Sequence, residues 1–217
     1  MPEIDQPSNQ RPYELVVFDF DGTLADTFGW FMDALDVSAE KFGFSKAPAD
    51  EHETLRGWTF SEISRHLGVP TWKVPRVAHF MRKKMQVDIE TISAFDGVKE
   101  LLVSLDAAGV KLGLVSSNSW ENIEAVLGAQ ASFFVHRSCG VSIFGKATKL
   151  RKILSASGTR PENALFVGDE LRDEEAARAV GMKFGAVAWG YNRPDVLRLR
   201  HPDEWFETVQ EMASGLV

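Results

Sequence analysis

Short apolar runs alternate with helix-period segments along most of this chain, and that alternation restricts the fold more than any other feature. Leu15 to Phe18, Leu112 to Val115, Ala164 to Val167 and Gly185 to Trp189 are rich in Val, Leu and Phe and bounded by polar or glycine residues, the pattern of strands buried on both faces. Between them, helical patterns cover Val98 to Ala108, the neighbourhood of Ala125, Lys149 to Ala156 and Glu174 to Val180, with Gly109, Gly128, Gly158 and Gly181 as stops. Strands alternating with helices imply a parallel sheet with helices on both faces, so the expected fold class is α/β. A further strand is expected within Ser132 to His136.

The stretch from Thr27 to Ala94 breaks the alternation. Phe28, Phe31, Met32, Leu35, Ala39 and Phe42 recur at helical spacing, Ser61 to Leu67 predicts a second helix, and Trp72 to Val87 predicts one or two more. This is an all-helical insertion whose aromatic residues, Trp58, Trp72 and Phe80 among them, serve as its own small core. The expected organisation is a disordered tail over residues 1–13, a sheet-bearing core from residues 14–26 and 95–217, and a helical unit over residues 27–94.

Charge narrows the partners. The chain of 217 residues carries 31 acidic and 24 basic side chains, a net charge of -7, and no basic stripe of the kind that follows a nucleic-acid backbone, so nucleic acid is not an expected partner. A negative surface repels anions at long range, so an anionic substrate must be held by local donors and a metal. Cys139 is the only cysteine. With no intramolecular disulfide and no apolar run of membrane-spanning length, a soluble, cytoplasmic protein is expected.

The first apolar run stops in Asp19-Phe20-Asp21-Gly22-Thr23. Strand side chains alternate faces, so Asp19 and Asp21 project to the same side, and two such carboxylates need a cation or a shared proton. The alternative is a solvated turn at Asp21-Gly22 with Thr23 capping a helix. The second run ends in Ser116-Ser117-Asn118-Ser119 ahead of a helix, where hydroxyls and backbone N–H groups form a phosphate cradle, although Ser119 also suits a helix N-cap. Lys146 follows Gly145 at the start of a helix, and a fourth strand runs into Gly168-Asp169 with Asp173 four residues on, on the same face if a helical turn follows. Hard oxygen ligands grouped in this way suit Mg²⁺. Glu170 and Arg172 are expected to point elsewhere as a surface ion pair.

In their order, spacing and placement at strand ends, these four pieces resemble the haloacid dehalogenase superfamily, in its phosphatase branch with a helical cap. The resemblance spans residues 14–191 and implies a Rossmann-like core. It implies Asp19 as nucleophile and Asp21 as general acid and base, with Ser116 (or Ser117, one residue away) and Lys146 binding the transferring phosphoryl group, and Lys149 near enough to compete with Lys146. It further implies phosphate contacts from Gly22, Thr23, Ser117 and Asn118, and Mg²⁺ held through Asp19, Asp21, Asp169 and Asp173. Leu55-Arg56-Gly57-Trp58-Thr59 resembles the cap loop that sets specificity, so Arg56 is expected to meet a second anionic group and Gly57 and Trp58 to shape the pocket. Asp21 favours phosphatases over dehalogenases, which lack that acid. The implied activity is hydrolysis of a small phosphate monoester, phosphoglycolate being one fit for Arg56. The alternatives are a sugar-phosphate mutase, disfavoured by Phe31 where those members typically carry histidine, and a non-catalytic phosphate-binding module.

Overall fold

The computed structural model describes residues 13–140 and 145–217. Residues 1–12 of the expected tail lie outside the described residues, whereas Tyr13 is buried and donates its hydroxyl to Glu204 at 2.7 Å. Strand β1 (Leu15–Phe18) is followed by the short β2 (Ala25–Asp26), helices α1 (Phe28–Phe42), α2 (His52–Leu55), α3 (Phe60–His66) and α4 (Val74–Val87), and β3 (Ser93–Ala94), which runs antiparallel to β2. The chain continues through α5 (Val98–Ala107), β4 (Lys111–Val115), α6 (Trp120–Leu127), β5 (His136–Ser138), α7 (Lys146–Ser157), β6 (Ala164–Gly168), α8 (Leu171–Arg178), β7 (Lys183–Val187), α9 (Pro194–Arg198), β8 (Glu204–Phe206) and α10 (Val209–Leu216).

The larger strands form a six-stranded sheet in the order β5-β4-β1-β6-β7-β8, parallel throughout. Its two faces follow from strand alternation. Val16 and Phe18 of β1 join Leu112, Leu114, Leu165 and Val167 under α5, α6 and α10, while Leu15 and Val17 turn to the other face, under α7, α8 and α9. Burying each such side chain contributes roughly 1.5–3 kcal/mol, which is why an apolar run with no polar alternation settles in the centre of the sheet. Gly113 in β4 leaves room for its neighbours, since a Cβ there would lie 2.9 Å from Val17 Cγ2. The helices between β2 and β3 have a separate cluster around Leu35, Leu55 and Leu67, with Trp58 packed against it.

The expected helix stops hold, and Gly109, Gly128, Gly158 and Gly181 all take positive φ. The expected strand at Ser132 to His136 is misplaced. Residues Gly128–Phe133 form 3₁₀ turns and β5 begins only at His136, because Phe134 drops into the core edge-on to Phe18, with ring centroids 6.3 Å apart, while Val135 faces solvent. Helices α7 and α8 start three residues earlier than their apolar periodicity predicts, at Lys146 and Leu171; polar residues in their first turns interrupt that periodicity. Strand β8 and helix α10 are unforeseen, β8 being only three residues long.

Candidate active site

Strand β1 has β4 on one side and β6 on the other, so the connections on its two flanks diverge and a crevice opens at its carboxyl end. Into this crevice the sheet delivers Asp19 after β1, Ser116 after β4, Lys146 at the start of α7, Asp169 after β6 and Asp173 in the first turn of α8. All five are buried. Lys146 Nζ donates to Asp19 Oδ2 at 2.5 Å and also to Asp173 Oδ1, tying together residues far apart in the chain. Lys149 sits almost one turn further along α7, its ammonium 3.4 Å from the Ser116 carbonyl, so Lys146 is the lysine that reaches Asp19.

Asp169 is positioned from several sides. Thr23 Oγ1 donates to its Oδ1 at 2.6 Å and the Tyr191 N–H to its Oδ2 at 2.8 Å. Gly22, at φ +78°, and Gly190 lie so close that a Cβ on either would overlap the Asp169 side chain. Only glycine combines that left-handed backbone with such an approach at low cost. Asp173 Oδ2 accepts the Glu170 N–H at 3.1 Å and closes the amino end of α8.

The electrostatics of this group favour a cation. Burial, followed by the charges of Glu170, Asp173 and Asp19, pushes the Asp169 carboxyl well above the ordinary range. Burial likewise raises Asp173, and Lys146 opposes that rise. For Lys146 burial favours the neutral amine, but Asp173 and Asp19 outweigh it and keep the ammonium charged. Asp19, Asp169 and Asp173 each offer a carboxylate oxygen, and these atoms lie within 4.8 Å of one another. Buried hard oxygens with one ammonium among three carboxylates are a donor set that fits Mg²⁺.

Asp21, half-buried beside this group, is pushed up to about 7 by burial and by Asp19, with Asn118 and Lys146 pulling the other way. Its carboxylate turns to Asn118, whose Nδ2 donates to Asp21 Oδ1 at 3.1 Å, so any part it takes in metal binding falls to its main-chain carbonyl. Asn118 is itself held, since its Oδ1 accepts from Ser119 N–H and from Asn122 Nδ2, both at 2.9 Å.

Several sequence expectations need correction. The Gly22 N–H is already donated to the Ala25 carbonyl at 3.0 Å and the Thr23 hydroxyl to Asp169, so these two residues shape the site rather than offer donors to phosphate. Ser119 takes the N-cap role that the sequence also offered, accepting from Asn122 N–H at the start of α6. Glu170 and Arg172 do pair, with Arg172 Nη2 3.1 Å from Glu170 Oε1, but they are half-buried and line a cavity of about 110 Å³ that also contains Asp21. Arg56 lines an adjoining cavity with Tyr191, Glu170 and Arg172, and three of its five N–H donors are engaged by the protein. Its Nε and Nη2 donate to the Tyr191 and Gly190 carbonyls, each at 3.0 Å, and its Nη1 pairs with Glu53 at 2.9 Å. Trp58 lines that adjoining cavity while stacking edge-on to His66 at 5.0 Å within the helical cluster, and Gly57 sits where a Cβ would crowd the Thr54 carbonyl at 3.2 Å.

Sequence reasoning missed Arg82 and Met85 from α4, and Tyr191, as parts of the cavity over Asp21. Arg82 Nη1 donates to the Ser117 carbonyl at 3.2 Å, Met85 Sδ lies 2.9 Å from Asn118 Nδ2, and the Tyr191 hydroxyl bonds Thr27 Oγ1 at 2.9 Å. On α4, Arg82 and Met85 are three residues apart and share a face; that spacing was the available signal, but nothing in it says which face meets the crevice.

A family model for haloacid dehalogenase-like hydrolases matches residues 16–187. A phosphoglycolate phosphatase of Synechococcus elongatus is 33% identical over 205 residues, covering 94% of this chain and 97% of that protein. The tyrosine-protein kinase PtkA of Mycobacterium tuberculosis is 27% identical over 191 residues, 85% of this chain but 65% of that protein. Among solved structures, a haloacid dehalogenase-like hydrolase from Streptococcus pneumoniae superposes with a TM-score of 0.76 at 20% identity, covering 94% of this chain and 98% of that one, which bears on the fold alone. With the family match running from β1 through β7 and carrying Asp19, Ser116, Lys146, Asp169 and Asp173, the chain belongs to the haloacid dehalogenase-like hydrolases.

Proposed function

We propose that this chain is a Mg²⁺-dependent phosphatase acting on a small phosphate monoester, phosphoglycolate in the first instance, through a phosphorylated Asp19. The observation that carries the reading is the Lys146 ammonium shared between Asp19 and Asp173 beside Asp169. It is supported by the extent of the match to a phosphoglycolate phosphatase. PtkA is longer than the region matched here, which spans 65% of it.

Asp19 Oδ attacks phosphorus, the bond from phosphorus to the ester oxygen breaks, and Asp21 gives its proton to the departing alkoxide. A carboxyl held near 7 is suited to that proton transfer close to neutral pH. In the second step a water loses a proton to the Asp21 carboxylate and attacks phosphorus. The bond to Asp19 breaks, inorganic phosphate leaves, and Asp21 is protonated for the next cycle. Lys146 and the Ser116 hydroxyl, with the backbone N–H groups near Ser117, balance charge on the phosphoryl oxygens. Asp173 holds Lys146 in place. Mg²⁺ bound by Asp19, Asp169 and the Asp21 carbonyl would supply Lewis-acid stabilisation of those oxygens. The helices of residues 27–94 act as a cap that keeps bulk water from the ester in the first step and admits the single attacking water in the second.

The test is phosphate release from a panel of small esters by wild type and Asp19→Asn, with and without EDTA. Turnover should fall by about 10³-fold or more in the variant and should vanish on chelation. Release by Asp19→Asn at the wild-type rate, or no release from any ester by wild type, would overturn the assignment.

A further inference from the structure

The basic side chains near Asp21 are not equivalent. Lys146 is committed to Asp19 and Asp173, Arg172 to Glu170, and Arg56 to Glu53 and two backbone carbonyls. Arg82, half-buried on α4, is different. Its Nη1 donates to the Ser117 carbonyl, and among the described residues no carboxylate pairs with it. Burial lowers its pKa with no acidic neighbour to oppose the effect. A guanidinium never discharges near neutral pH, so this is a partly desolvated, uncompensated cation facing a cavity.

That cavity also holds Asp21, and its other walls include Trp30, Phe31, Phe60, Met81, Met85 and Tyr191. Arg82 is fastened to Ser117 and Asp21 to Asn118, which are successive residues about 3.8 Å apart at Cα. Arg82 and Asp21 therefore line one cavity from either side of the Ser117-Asn118 stretch, with the guanidinium on its α4 wall. The space over Asp21, about 110 Å³, adjoins a second, apolar cavity of about 140 Å³ and shares Phe31, Phe60, Met81 and Tyr191 with it, so a short organic part fits beside Arg82 without entering that neighbour.

We propose that Arg82 is a specificity residue that binds a carboxylate on the organic part of the substrate, a few bonds from the ester oxygen. The planar fork of a guanidinium matches a carboxylate through two parallel N–H donors, and the Nε and Nη2 groups of Arg82 donate to no protein acceptor among the described residues. This inference rests on the phosphatase reading and adds to it the residue that would read the carboxylate of a short phosphorylated hydroxy acid.

The experiment compares kcat/KM for phosphoglycolate with that for ethyl phosphate, which lacks the carboxylate, in wild type, Arg82→Gln and Arg82→Lys. Wild type should prefer phosphoglycolate. In Arg82→Gln the ratio of the two values should drop roughly 10- to 150-fold, the range for a lost charged hydrogen bond, and Arg82→Lys should recover part of it. Parallel losses on both esters, or an unchanged ratio, would overturn the role of Arg82 while leaving the phosphatase assignment intact. Wild type that fails on phosphoglycolate yet releases phosphate from other esters of the panel would overturn the role of Arg82 alone, and release from no ester would sink both.

Discussion

Asn118 takes part in a chain of amides that fixes Asp21, the group proposed to move a proton. Its Nδ2 reaches both Asp21 oxygens, at 3.1 and 3.4 Å, while its Oδ1 is pinned by Ser119 and Asn122, and Asn122 in turn donates to the Arg82 carbonyl at 3.1 Å. Asn118→Ala frees the Asp21 carboxylate to rotate away from the leaving oxygen. Because an error of about 1 Å in a reacting group costs on the order of 10²-fold, kcat should fall by about that factor with a much smaller change in KM; steady-state kinetics on the folded variant measure this, and an unchanged kcat would remove Asn118 from the positioning network. Asp19, Asp21, Asp169, Asp173 and Lys146 were legible because each follows an apolar run or opens a helix, positions that say where a side chain must point. Asn118 was legible only as a member of the serine-rich loop. The partner it would choose depends on a β1 to β4 register that no local pattern carries.

Elements were read best where burial is two-sided. Strands β1, β4 and β6 leave no choice of face, so their apolar runs identify them and their ends. Strand β8 at the edge was invisible because three residues hold no period, and it is secured by its neighbours instead. Asp203, just before β8, accepts from Arg178 Nη1 at 2.6 Å, Lys183 Nζ at 2.9 Å and the Phe184 N–H at 3.0 Å, joining α8, β7 and β8. Burial alone would raise its pKa, but the Phe184 N–H and the two cations prevail and hold it below the usual carboxylate range. A folded pKa below the unfolded value of about 3.9 means that the stabilisation is fully present above that pH and is lost as pH falls through the folded value. Asp203→Asn should therefore lower stability by about 1 kcal/mol at pH 7, a figure kept small because the cations are partly solvated. The gap to wild type in urea unfolding should close below about pH 4. A gap that stays constant down to pH 3 would mean that the carboxylate charge contributes nothing.

At the scale of the whole molecule, the helices of residues 27–94 are joined to the sheet by polar clasps as well as by apolar packing. Arg56 donates to the Gly190 and Tyr191 carbonyls, Asn192 Nδ2 to the Arg56 and Trp58 carbonyls, and Arg193 Nη1 to the Glu53 carbonyl. These contacts converge on the loop after β7 that delivers the Tyr191 N–H to Asp169 and places Gly190 against its side chain. The helical segment thus supports the acidic cluster at a distance, through one loop. The sequence named Arg56 for its charge and its place in a cap-like loop, yet no feature of that loop could reveal that the carbonyls it meets lie 134 and 135 residues away. Arg56→Ala therefore makes a different prediction from Arg82→Gln. Loosening the loop around Asp169 should lower kcat/KM for phosphoglycolate and ethyl phosphate together, by about 10-fold if a metal ligand's supporting contact is lost, and should raise the Mg²⁺ concentration needed for half-maximal activity. The preference between the two esters should not move. Titrating Mg²⁺ against activity in wild type and Arg56→Ala, with both esters, separates the two outcomes: a selective loss on phosphoglycolate at an unchanged Mg²⁺ requirement would mean that Arg56 leaves its clasp to bind substrate, and that its carbonyl contacts are not what supports Asp169.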